Sequence, residues 1–309
     1  MGQVSDQDFA GIRCVVTGAN GFIGTALCQQ LRAGGAQVHG LCRADMQPSQ
    51  PYRLRCDVRD GEQVRAAFAQ TRPQVVFHLA SIVSGSQSLG LILPMLQSNL
   101  VGFLHVALAA AEYKCDRVIT IGSLMEPDIT LPAVPSSPYA ASKFAASCYA
   151  RMFSDIYDLP VAIARLMMVY GPGQMDTSKL VPYIGSQLVS GRPAELSSGQ
   201  QQFDWIYIDD VIDALLAIAT RPDVQGRSID VGTGALTSVA HVAQGIARRF
   251  GRIDLLKLGA IPDRKAEPTR IADVGATAAL LGWQPRVALQ EGLDRTAAWL
   301  AANPFAAGH

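Results

Sequence analysis

Arg13-Cys-Val-Val-Thr17-Gly18-Ala-Asn20-Gly21-Phe22-Ile23-Gly24 decides the fold. Its first five residues are a short β-rich run. The Thr25-Ala-Leu-Cys-Gln-Gln-Leu-Arg32 stretch that follows, closed by Gly34-Gly35, reads as a helix. Strand, glycine turn and helix in this order are the context that a dinucleotide-binding fingerprint requires. Gly18 permits the tight turn, and Gly21 lets backbone N–H groups approach a pyrophosphate at the helix N-terminus. Gly24 lets the helix lie close against the strand. The spacing is GxxGxxG, not GxGxxG.

Outward from this unit, strands and helices alternate. Strands are expected at Ala36–Cys42, Gln74–Leu79, Arg117–Gly122 and Val161–Met168. Helices are expected at Phe22–Ala33, Gly61–Gln70, a long stretch ending near Tyr113, and Pro138–Tyr157. Such alternation predicts an α/β protein with a doubly wound parallel sheet of the Rossmann type. The second half is less regular. Gly171-Pro-Gly173 breaks the pattern, and helical pieces follow at Ser178–Val189, Asp209–Ala219, His241–Phe250 and Leu289–Leu300. Ser197–Gln202 reads as a turn and Ser228–Val231 as a strand.

Composition narrows the class. The 309 residues are 49% hydrophobic, enough for a large core, and 26 basic residues balance 26 acidic ones. No basic stripe points to nucleic acid or an anionic membrane surface. The N-terminal ten residues carry no signal pattern. Leu89–Ala111 is the most apolar stretch, but Pro94, Gln97, Ser98, Asn99 and His105 interrupt it. Its leucines recur at helical spacing, which predicts an amphipathic helix and no membrane span. The six cysteines form no CxxC pair and have no histidine at metal spacing, so a reduced, cytoplasmic protein without a metal site is expected. His78, at the end of a buried strand, reads as a packed residue.

Tyr139-Ala-Ala-Ser-Lys143 carries the chemistry. A tyrosine and a lysine four apart share one helix face. A phenol ordinarily titrates near pH ~10, and a neighbouring ammonium favours its ionised form. The pair is therefore suited to passing a proton to or from a sugar or alcohol oxygen.

Together these stretches resemble the extended short-chain dehydrogenases/reductases, the NAD-dependent epimerase/dehydratase family. The resemblance rests on Thr17–Gly24, Val76-Phe-His-Leu-Ala80, Asn99 with Gly102, and Ser137-Pro-Tyr-Ala-Ala-Ser-Lys143. Val169-Tyr-Gly-Pro-Gly173, Tyr207-Ile-Asp-Asp210 and Leu281-Gly-Trp283 extend it from about Gly11 to Leu300. It implies a nucleotide-binding domain over 1–170, with 203–233 returning to it, interleaved with a substrate domain over 171–202 and 234–309. It also implies Ser123 as the third catalytic group, holding the oxygen that Tyr139 protonates. Lys143 would contact the nicotinamide ribose, Asn99 would order the active-site helix, and Leu79, Ala80 and Ser81 would line the cofactor. Asp57 and Val58 would flank the adenine. A homodimer packed through the Leu89–Ala111 helix and the Tyr139 helix is implied as well, with Ala145, Ala146, Tyr149 and Met152 as an apolar stripe.

Arg43 bears on the cofactor. It ends the second strand about twenty residues after the glycine loop, where NAD-binding members place an acid for the ribose 2′-OH. An arginine suits a 2′-phosphate, so NADP(H) is expected over NAD(H). Departures from the family restrict the reaction. Dehydratases and decarboxylases carry acids directly after the catalytic hydroxyl, where this chain has Leu124 and Met125. Glu126 stands one place further on and reads as a surface acid, with a part in proton transfer as the alternative. On the substrate side, Met168 replaces an asparagine, Phe203 replaces a phosphate-pairing arginine, and Arg264 matches the remaining one, with Glu267 near the ribose acid. The reading is an NADP(H)-dependent reductase/dehydrogenase interconverting a ketone and a secondary alcohol on a sugar-like substrate, with a 4-keto-6-deoxy nucleotide sugar as the leading candidate. The alternatives are a nucleotide-sugar epimerase with a retained cofactor and a non-catalytic NADP-sensing regulator.

Overall fold

The computed structural model describes residues 9–43, 52–128, 134–263 and 269–303. Cys14 to Thr17 are four successive buried residues, and they make strand β1 (Arg13–Thr17). A strand buried on both faces belongs inside a sheet covered on both sides. Helix α1 (Phe22–Ala33), β2 (Gln37–Cys42), β3 (Arg53–Arg55), α2 (Gly61–Thr71) and β4 (Val75–His78) follow. Next come α3 (Ile92–Met95), a wide π turn over Leu96–Val101, and α4 (Gly102–Glu112). Then come β5 (Arg117–Ser123), α5 (Pro138–Tyr157), β6 (Val161–Leu166), β7 (Met168–Tyr170), α6 (Leu180–Val189), β8 (Ala194–Glu195) and β9 (Gln202–Tyr207). Helix α7 (Ile208–Thr220), β10 (Ser228–Val231), β11 (Leu236–Ser238), α8 (Val239–Arg249), β12 (Leu256–Lys257), α9 (Val274–Leu281) and α10 (Leu289–Ala302) are the remaining elements among the described residues.

Seven strands pair in parallel in the order β10-β6-β5-β4-β1-β2-β3. The order reverses between β1 and β4, the place where open α/β sheets bind ligands. Val64 and Phe68 of α2, Phe103 and Val106 of α4, and Ala150 and Phe153 of α5 close on Val76, Val118 and Ile163 of the sheet. By length and composition alone Leu89–Glu112 could cross a membrane. Its Met95, Phe103, Val106 and Ala110 are instead buried in the protein.

The chain forms two compact units, the first of Met1–Leu166, Ile212–Val231 and Gly275–Trp283. The second comprises Met167–Val211, Gly232–Val274 and Gln284–His309. Within it β9 pairs with β7 in parallel and with β11 in antiparallel fashion. Buried Asp204 holds this unit together. Its carboxylate accepts from Thr233 N and Oγ1 (2.7 Å each), Gly234 N (2.9 Å) and Ala272 N (3.0 Å). Hydrogen bonds to a charged group contribute about 1.5–3 kcal/mol each, so four of them offset the burial of this one charge.

The expected elements of the first half match closely, with one change in the β6 region. The strand expected over Val161–Met168 stops at Leu166, and Met168–Tyr170 pairs with β9. Of the 203–233 stretch, β10 joins the large sheet beside β6 and β9 lies in the small one. Strand β3 and helix α9 carried no local pattern strong enough to predict.

Candidate active site

The glycine turn is held from both sides. Gly18 has a left-handed φ of 68°, and its N–H donates to Leu41 O at 3.0 Å. A Cβ there would lie 2.9 Å from Ala80 N. At Gly24 a Cβ would lie 2.2 Å from Gly18 O, so the helix can approach the turn only without a side chain. Helix α1 starts at Gly21 with no side-chain cap, and Asn20 and Gly21 are exposed while Phe22 and Ile23 are half-buried. The loop backbone and helix N-terminus therefore face solvent, the arrangement that suits a pyrophosphate.

Thr17, which the sequence reading did not single out, ties this turn to the next strand end. Its Oγ1 accepts from Leu79 N and Ala80 N, both at 3.1 Å, and lies 2.9 Å from His78 Nδ1. With both backbone donors placed, the Thr17 hydroxyl proton goes to Nδ1, and His78 is neutral. Burial, aided by the Lys143 charge, lowers its pKa to about 3. His78 is packed as expected, with its ring 5.9 Å from Phe103. Ser81 is half-buried just beyond.

At the adenine side Arg43 stands exposed one residue past β2. Asp57 is held below the usual carboxylate range, first by its hydrogen bond with Arg59 (2.5 Å) and in smaller part by the Arg43 charge. Val58 is buried beneath Gly102, where a Cβ would come within 2.9 Å of it.

Ser123 ends β5, and Tyr139 and Lys143 lie on the first turns of α5. The helix begins where the sequence dictates: Ser137 Oγ accepts from Ala140 N at 3.2 Å, and Pro138 occupies the first turn. All three side chains are buried, and Tyr139 hydrogen-bonds to Ser123. Asn99, in the π turn, orients the helix. Its amide donates to Ser142 Oγ (3.0 Å) and Ile82 O (3.0 Å) and accepts from Ile82 N (2.8 Å). Ser142 Oγ in turn donates to Tyr139 O at 2.9 Å.

The electrostatics differ from the expectation that Lys143 lowers the Tyr139 pKa. Burial pushes the phenol up to about 12, its hydrogen bond with Ser123 lowers it, and the Glu126 charge raises it further. The Lys143 ammonium points to Ile121 O at 3.0 Å, and burial lowers its pKa to about 8 while Glu126 raises it. Glu126 is no surface acid. It is 4% exposed, and its Oε1 accepts from Ser123 N at 2.7 Å. The chain turns back at Ser123-Leu-Met, with Met125 N donating to Ser123 Oγ at 3.2 Å, and this carries Glu126 inward.

Of the substrate-side residues, Met168 is half-buried in β7. Phe203 is buried in the small sheet, its ring edge-on to Trp205 at 6.0 Å. Arg264 and Glu267 lie outside the described residues.

A nucleotide-type parallel sheet with an open glycine turn, a serine at the end of β5 and a tyrosine and a lysine on the first turns of α5 define the class as a dinucleotide-dependent enzyme. The chain belongs to the NAD dependent epimerase/dehydratase family, whose profile matches residues 14–232. It is 31% identical to the UDP-glucose 4-epimerase of Mycolicibacterium smegmatis, over 92% of this chain and 97% of that one. It is 27% identical to the dTDP-glucose 4,6-dehydratase of Haemophilus influenzae, over 94% and 98%. The solved structure of Thermus thermophilus UDP-glucose 4-epimerase in complex with NAD is similar, with a TM-score of 0.83 and 27% identity, over 94% of this chain and all of that one.

Proposed function

We propose that this enzyme interconverts a ketone and a secondary alcohol on a nucleotide-linked sugar, with net reduction by NADPH. The hydrogen-bonded Ser123–Tyr139 pair, with Lys143 one turn on, carries the reading. Tyr139 delivers a proton to the carbonyl oxygen, or takes it back from the alcohol, and Ser123 steadies that oxygen. Lys143 supplies positive charge and, through the ribose, aligns the bound dinucleotide. When bound in the glycine turn, NADP(H) supplies or accepts the hydride. Leu124 is buried and neither it nor Met125 can move a second proton, which speaks against dehydration.

Arg43 supports NADP(H) over NAD(H), because an exposed arginine just past β2 matches a 2′-phosphate. A second reading, epimerisation with a retained cofactor, is supported by the 31% identity to a UDP-glucose 4-epimerase. For the assembly, a homodimer fits the apolar residues left outward on α3, on the turns flanking it and on neighbouring α5: Leu89, Ile92, Leu93, Leu96 and Tyr149 are each at least 40% exposed.

The deciding experiment offers UDP- and dTDP-linked sugars and their 4-keto derivatives with excess NADPH or NADH. It follows cofactor absorbance and sugar product together. Stoichiometric cofactor oxidation supports the reductase. A 4-epimeric product without cofactor consumption overturns it in favour of the epimerase.

A further inference from the structure

Three observations converge on Glu126. Its carboxylate is buried, and a buried charge is retained only where charges or donors around it compensate. Here the Ser123 N–H donates to Oε1 at 2.7 Å, and Ser147, one turn after Lys143 on α5, hydrogen-bonds the same side chain. The Lys143 and Arg165 charges act on it as well. Gly122 makes room for it, since a Cβ there would lie 2.8 Å from Oε1. The carboxylate thus joins the end of β5, which carries Ser123, to the helix that carries Tyr139 and Lys143.

The charged neighbours separate into two sets. Arg165 on β6 already has its own acid, with Nε donating to Asp230 Oδ1 of β10 at 2.5 Å. Lys143 donates to a neutral carbonyl, Ile121 O, and the other titratable group that senses its charge is neutral His78 on β4. Tyr139 is uncharged at neutral pH. Among the described residues Glu126 is therefore the anion that acts on the Lys143 ammonium.

We propose that Glu126 is a positioning residue of the proton-transfer site, anchoring the Ser123 end of β5 and serving as the counter-charge of the Lys143 ammonium. The consequence follows from burial. Lys143 sits where desolvation already brings its titration to about pH 8. Without the carboxylate it would lose its proton near or below neutrality, and the positive charge beside the reacting oxygen would go with it. The carboxylate also opposes ionisation of Tyr139 directly, which keeps the phenol a proton donor. This inference rests on the reading of Ser123, Tyr139 and Lys143 as the working set, and its test needs no substrate.

The chain has five lysines, Lys114, Lys143, Lys179, Lys257 and Lys265, so lysine-selective ¹³C/¹⁵N labelling gives a simple NMR spectrum. K143R assigns the Lys143 signal. In the unmodified protein that signal is expected to titrate at about pH 8. In E126Q, which keeps an acceptor for the Ser123 N–H, its midpoint falls by about one to three pH units, the size of effect expected from a close opposite charge. An unmoved midpoint in folded E126Q would overturn the proposal. Should E126Q not fold, the unmodified protein still decides. Its Lys143 signal must carry a second, smaller step where Glu126 takes up its proton, above the usual carboxylate range. A signal flat through that acid region refutes the coupling. Failure of every sugar in the substrate panel would count against the proposed reaction and leave this titration unaffected.

Discussion

Replacing Gly24 and Gly21 separately by alanine should split the glycine turn into a packing role and a binding role. A methyl at Gly24 would lie 2.2 Å from Gly18 O and 2.9 Å from Gly18 C. Both are backbone atoms of a turn already fixed by the Gly18 N–H to Leu41 O bond and by the contact with Ala80. Neither side can yield cheaply, so G24A should fall at the upper end of overpacking costs, about 3 kcal/mol. Gly21 differs. Its φ is −75°, which any residue adopts, and its Cβ would meet only Gly18 O, at 3.2 Å. The lower chain entropy of alanine and its poorer N-cap preference nearly cancel, leaving stability within about 1 kcal/mol. Gly21 is exposed where backbone N–H groups must approach a pyrophosphate. Loss of one charge-assisted bond there costs about 1.5–3 kcal/mol, or roughly ten- to a hundredfold in affinity. Thermal melts and fluorescence titrations with NADH and NADPH measure the two effects independently. Melting points of G24A and G21A that agree within a degree would refute the packing argument. Unchanged dinucleotide affinity in G21A would remove the turn from the binding site.

Three further outcomes are expected. Y139F should lower stability by only about 1 kcal/mol, for one lost hydrogen bond, while turnover on the active sugar nucleotide falls roughly 10²–10⁴-fold; near-normal kcat would assign the proton transfer to another group. R43A should weaken NADPH binding by about tenfold or more and leave NADH binding nearly unchanged, and calorimetric titration giving equal affinities for the two cofactors in the unmodified protein would end that argument. L93E should convert a dimer to monomers in light scattering at micromolar concentration, because Leu93 is 64% exposed on the outward face of α3; a monomeric unmodified protein would refute the dimer.

Much of the first unit is written in local pattern. The run of buried residues in β1, the glycine spacing and the capped start of α5 at Ser137-Pro138 are short-range features, and each places its element without help from distant chain. The same holds for the shared helix face of Tyr139 and Lys143, which periodicity sets, whereas Ser123 was reached through the family resemblance. Glu126 is the opposite case. Beside Pro127 it looks like an exposed loop acid, and only the Ser147 hydroxyl and the Lys143 and Arg165 charges, brought in from α5 and β6, make its burial tolerable. The Tyr139 proton affinity is set in the same way: helix spacing predicts a lysine partner that lowers it, whereas burial by the rest of the protein raises it. Spacing could have hinted at Ser142 and Ser147, which fall on the helix face of Tyr139 and Lys143. No such hint marked Asp204 or Thr17, whose partners lie 29 to 68 and 61 to 63 residues away. Local sequence marked the glycine turn and the Tyr139–Lys143 pair as candidates for binding and chemistry. Long-range packing alone decided which charges are buried together, because desolvation and pairing depend on atoms that the chain supplies from afar.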